Sequence, residues 1–89
     1  MRTTWKFPLG IEDQQTVMMP KDAYVLPSAQ TQFARITVWA VVDAKAPLEA
    51  RQFRIAGTGP PLDDIDPSWK FLGTVQMLDG ELIFHVFVK

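Results

Sequence analysis

Apolar and polar residues alternate along most of this chain with a period of two, the spacing of strands that bury one face. Thr3, Trp5 and Phe7 alternate with Arg2, Thr4 and Lys6, which predicts a first strand ended by Pro8. Thr16–Met19 reads as a second strand, closed by the turn residues Pro20-Lys21-Asp22. Ala23–Pro27 reads as a third, with Ser28–Gln32 as a loop or irregular continuation. Phe33–Asp43 carries the strongest pattern: Ile36, Val38, Ala40 and Val42 on one face, and Arg35, Thr37, Trp39 and Val41 on the other. Its β-branched content favours strand over helix. Glu49–Ala56 returns as a strand with Phe53 and Ile55 inward, and Pro47 opposes a helix over 44–51.

Residues 57–67 form the one long irregular segment, with three prolines and two glycines. Ser68–Met77 follows as a strand, with Trp69, Phe71, Val75 and Met77 assigned to one face. Gly73 inside it marks a bulge or a close backbone approach. Leu78-Asp79-Gly80 then predicts a tight hairpin turn. In the last strand Leu82, Phe84, Val86 and Val88 share a face, while Ile83 and Phe87 keep the other face apolar around His85. About seven short strands with at most one helical turn predict a single all-β domain over residues 1–89, a small antiparallel sandwich or partly open barrel.

Length and composition narrow the picture. Eighty-nine residues, 47% of them hydrophobic, suffice for one modest core. A net charge of −1 with basic residues scattered along the chain leaves no footprint for duplex nucleic acid or acidic lipid. The absence of cysteine removes disulfides and Cys-based zinc sites. The N-terminus lacks the apolar run of a signal peptide, and no stretch is long enough for a membrane helix. A soluble cytoplasmic protein without a cofactor is expected.

His85 is the only histidine, the residue type most used for general acid–base work, and is the first residue to weigh for catalysis. Ser28 and Ser68 lack a nucleophile-elbow context, and one histidine without cysteine supplies too few metal ligands. No catalytic or metal site is assigned, and the protein is expected not to be an enzyme. Gly57-Thr58-Gly59, with Arg54 as charge partner and His85 beside them, is the candidate site for a small anionic ligand. Pro60 and Pro61 weaken it by removing two backbone donors. Asp63, Asp64 and Asp66 lack calcium-loop spacing, and Asp66 before Pro67 reads as the cap of one helical turn. Arg35 and Trp39, joined to Ile83 and Phe87 of the last strand, are expected to form one apolar patch serving as a homo-oligomer interface.

The order of landmarks Trp5-Lys6-Phe7-Pro8, Met19-Pro20, Val38–Asp43, Phe53–Gly59, Leu72–Gln76 and Phe84–Phe87 resembles a family of short bacteriophage and prophage proteins. The likeness spans nearly the whole chain, and its most specific elements are Gly57-Thr58-Gly59 and Phe84-His85-Val86-Phe87. Members carry a histidine after the second glycine, where this chain has Pro60. No activity accompanies the resemblance. It implies a phage-encoded accessory protein in the infected bacterial cell. Taken with the two-faced strands and dispersed basic residues, the expectation is a self-associating protein that acts by binding a host protein or nucleotide signal, in a counter-defence role. The alternative is a minor structural or assembly component of the virion.

Overall fold

A computed structural model describes residues 1–89. It contains seven strands: β1 (Arg2–Leu9), β2 (Gln14–Pro20), β3 (Tyr24–Gln32), β4 (Arg35–Asp43), β5 (Leu48–Gly57), β6 (Lys70–Met77) and β7 (Leu82–Val88). They form two antiparallel sheets, sheet A in the order β1-β4-β3 and sheet B in the order β2-β5-β7-β6. The chain is all-β, an open sandwich rather than a closed barrel.

The period-two pattern explains the layering. From sheet A the core receives Leu9, Val25, Ile36, Val38, Ala40 and Val42. Sheet B supplies Met19, Phe53, Ile55, Leu72, Val75, Val86 and Val88 to the same cluster. Full burial of such a side chain contributes about 1.5–3 kcal/mol. The richest apolar alternations fall on the central strands β4, β5 and β7, where both edges are paired.

Several boundaries differ from the sequence expectation. Pro8 does not end the first strand, because β1 is a sheet edge and proline is tolerated there. Ser28–Gln32 belongs to β3, whose pairing with β4 shifts register between Val25 and Ala29. Phe33 and Ala34 are not the start of β4 but the hairpin turn before it, both with positive φ (51° and 62°). No helix forms at Asp66; a single turn closes there, with the Trp69 N–H donating to the Asp66 carbonyl at 3.0 Å.

Gly73 fulfils both of its expected roles. The β6–β7 pairing shifts register between Phe71 and Gly73, which reverses the alternation. Leu72 and Val75 therefore enter the core, whereas Phe71 turns outward with Thr74. This overturns the assignment of Phe71 and Val75 to one face. At the same place a Cβ added to Gly73 would lie 3.2 Å from the Ala29 backbone nitrogen. Strands β3 and β6 run side by side in the same direction, joined by Thr31 Oγ1 donating to the Gln76 carbonyl at 2.9 Å. Lys70 Nζ reaches the Val25 carbonyl at 3.4 Å further along the same seam.

The other edge of the sandwich is open. Trp5 faces the core side in register with Ala40, yet it remains 39% exposed, so the aromatic-in reading of the first strand holds only toward Leu9.

Candidate functional site

The outer face of sheet B collects most of the residues singled out in the sequence. Antiparallel register places His85 beside Ala56 on β5 and Thr74 on β6, and places Phe87 beside Arg54 and Phe71. At the end of β5 the chain leaves the sheet through Gly57-Thr58-Gly59, with Gly59 at φ 109°, a conformation suited to glycine.

His85 is held from both sides. Its Nε2 lies 2.9 Å from Thr58 Oγ1, and its Nδ1 lies 2.9 Å from Thr74 Oγ1. A neutral imidazole has one donor and one acceptor nitrogen, and a hydroxyl can serve either. The ring therefore clamps the start of the 58–69 segment to the β6–β7 hairpin. Thr58 stands where a nucleophile would stand relative to a base. The third group, however, is a hydroxyl and not a carboxylate, so the ring nitrogen away from Thr58 has no anionic partner to stabilise an imidazolium formed during attack.

Arg54 is mostly covered. Its guanidinium pairs with Asp64 from the irregular segment, and its Nε is buried without a partner. The expected charge partner for an anion is thus already neutralised within the chain. A cleft of about 260 Å³ opens beside the glycine loop, lined by Gly57, Thr58, Pro60, Leu82, Ile83 and, on its acidic side, Glu81. Gly57 and Thr58 meet there, but Arg54 and His85 do not line it. An anion would meet a carboxylate and would have to displace Asp64 to reach Arg54.

Asp66 accepts hydrogen bonds from the Ser68 hydroxyl and, at 2.8 Å, from the Ser68 N–H. These bonds, the hydroxyl's first, hold its carboxyl below the ordinary aspartate value of 3.8, against a smaller opposing effect of desolvation and with the least contribution from attraction to Lys89. The acidic cluster therefore divides into two structural contacts, Asp64 to Arg54 and Asp66 to Ser68.

The expected apolar patch is not one patch. Arg35 and Trp39 lie on the outer face of sheet A, whereas Ile83 and Phe87 lie on the outer face of sheet B. The core separates them, because β4 and β7 belong to different sheets. Phe87 finds its aromatic neighbour in Phe71, with ring centroids 5.5 Å apart and Phe71 itself 52% exposed. Lys89 Nζ sits 5.2 Å from the centre of the Trp69 ring nearby.

Sequence reasoning missed Thr74, Asp64 and Phe71. Thr74 was recoverable: pairing outward from the turn after Met77 brings it opposite His85. Phe71 was hidden by the bulge. Nothing local in the sequence marks Asp64 as the partner of Arg54.

No curated protein and no solved structure matches this chain. The family model described as Domain of unknown function (DUF7352) matches residues 1–89, the whole chain, and the protein belongs to that family.

Proposed function

We propose that this is a phage-encoded accessory protein that acts by binding in the cytoplasm of the infected bacterium, without catalysing a reaction. Its partner surface is the outer face of sheet B, around Phe71 and Phe87, and its target is a host protein, in keeping with a counter-defence role. One observation carries this reading. His85 is held by two threonines and the end of the Arg54 guanidinium by Asp64, while the aromatic side chain of Phe71 is left half exposed. A face whose histidine and arginine are already engaged within the chain, beside exposed aromatic area, is suited to contact rather than chemistry, since exposed aromatic anchors dominate protein interfaces. The resemblance to phage proteins supplies the setting, and homo-oligomerisation belongs to the same reading.

The test is affinity capture from host extract with the wild-type chain, Phe71→Ser and His85→Gln, read by mass spectrometry. A host protein retained by wild type and His85→Gln but lost with Phe71→Ser is the expected result. Capture indifferent to Phe71, or substrate turnover that depends on His85, overturns the reading.

A further inference from the structure

Strand direction sorts the turns into two ends. The β1–β2 connection (10–13), the β3–β4 turn (33–34) and the β6–β7 turn (78–81) share one end. The β2–β3 turn, the β4–β5 turn and the C-terminus share the other, where the Lys21 N–H donates to the Pro47 carbonyl at 2.7 Å and the Lys89 N–H to the Gln52 carbonyl at 2.9 Å.

The first end is apolar at its tips and acidic around them. Phe33 is 87% exposed and Leu78 65%, and Ile11 is exposed beside them. Both Phe33 and Leu78 occupy left-handed backbone (φ 51° and 52°), where large side chains are uncommon. Turn formation alone would be served better by Asn or Gly. Glu12, Asp13, Asp79 and Glu81 lie in the same connections. The basic groups near this end are Arg35, Lys6, whose Nζ lies 5.7 Å from the Phe33 ring centre, and Arg54, which Asp64 already pairs.

The second end is basic. Arg2, Lys21, Lys45 and Lys89 gather there although they are scattered in sequence. Its acids are Asp22, Asp43, Glu49 and Asp66, the last drawn to Lys89, while Arg51, which donates to the Lys89 and Ala23 carbonyls, adds a further base. Asp43 accepts the Lys45 N–H and Glu49 the Asp22 N–H, each at 3.0 Å. Between these groups lies a cleft of about 400 Å³, whose lining sets two bases, Arg2 and Lys21, against two acids, Asp22 and Asp43, together with Val41, Ala46 and Pro47.

We propose that these two ends bind each other between copies of this chain: the apolar, acid-rimmed tips of one molecule dock on the basic end of the next, with Phe33 seated in the Arg2–Lys21–Pro47 cleft. Charge complementarity chooses the occupant. An acidic lipid surface would be repelled by the carboxylates around the tips, whereas the chain itself carries a matching end on which bases outnumber acids, with the charge-balanced cleft between them. The contact is heterologous, so each docked pair keeps one free tip and one free socket, and association continues beyond two copies unless a ring closes. The ends of so small a sandwich offer limited area, so each contact is weak and salt-sensitive. This contact is separate from the Phe71–Phe87 face: Phe71→Ser leaves both ends intact, and variants at the ends leave that face intact.

Sedimentation velocity and light scattering on the full chain provide the test. The wild type is expected to grow in mass with concentration, without stopping at a dimer by open association, and to return to monomer in molar salt. A tip variant (Phe33→Asn, Leu78→Asn) and a socket variant (Lys21→Glu, Lys45→Glu) should each be monomeric alone. Their equimolar mixture retains one intact tip and one intact socket and should form dimers and nothing larger. Circular dichroism checks that each variant is folded, and the wild-type salt response needs no variant. A wild type that stays monomeric at near-millimolar concentration in low salt, or a mixture of folded variants that stays monomeric, overturns the proposal.

Discussion

Thr58 Oγ1 and His85 Nε2 meet at 2.9 Å although 27 positions separate them in the chain. With Thr74 on the other ring nitrogen, His85 ties the departure of the irregular segment to the β6–β7 hairpin. Thr58→Val and Thr74→Val should each lower unfolding free energy by about 0.5–1.5 kcal/mol, the net value of one hydrogen bond. The double variant should depart from additivity, because both hydroxyls share one imidazole. Urea titration of the three variants checks both statements.

Gly73 sits where β6 presses on β3. An alanine there brings Cβ to 3.2 Å from the Ala29 nitrogen, a backbone atom that cannot move aside without disturbing β3. Gly73→Ala should destabilise by about 1–3 kcal/mol, in the range of overpacked sites. Increased amide exchange at Ala29 and Thr31 would locate the damage at the seam. Unchanged stability would mean that the seam yields more readily than the backbone approach implies.

The Phe33-Ala34 turn gives the opposite sign. Two non-glycine residues with φ of 51° and 62° occupy a hairpin connection for which Asn-Gly is preferred. Phe33→Asn with Ala34→Gly should stabilise the monomer by about 1 kcal/mol, since left-handed backbone costs an L-residue about 1–2 kcal/mol and glycine returns part of that gain as chain entropy. A rise in thermal midpoint together with loss of self-association would show that Phe33 is retained for contact and not for the turn.

Asp66 offers a pH test. Its carboxyl is held below 3.8 chiefly by the Ser68 hydroxyl, then by the Ser68 N–H. A depressed folded-state value means that its contribution to stability is fully present above the unfolded-state value. That contribution fades as pH falls below about 4 and through the lower folded-state value. Ser68→Ala should move the Asp66 titration upward toward the ordinary aspartate range. Carbon-detected NMR titration of the side chain measures it directly.

How much of this was readable beforehand depended on whether the physics was local. The alternations Ile36–Val42 and Phe84–Val88 defined their inward faces correctly, because a strand's two faces follow from period two alone, whereas Leu82 at the start of β7 stays exposed. The Leu78-Asp79-Gly80 turn and the special role of Gly73 were equally local. Phe71 was misplaced because one inserted residue reverses parity, and Gly73, which marks the bulge, does not tell on which side of it the alternation inverts. Phe33 was read into a strand because its apolar character outweighed a turn that only backbone geometry reveals. Grouping Trp39 with Phe87 failed for a long-range reason: which sheet a strand joins depends on pairing partners far away in sequence. At the candidate site, Thr58 and His85 were both singled out, but Asp64 belongs to an irregular loop whose path no periodicity describes.

The seam between β3 and β6 has a consequence for how the molecule comes apart. Joined along one side and unjoined along the other, the two sheets behave like the covers of a book, with the spine at Gly73 and Ala29. The page nearest the open side is β1, which has one neighbour and buries only Leu9 fully. It is therefore the strand that detaches at least cost and exchanges its amide hydrogens first. Once it is released, the exposed flank of β4 is left with a vacancy shaped for the same eight residues, its own or a neighbour's.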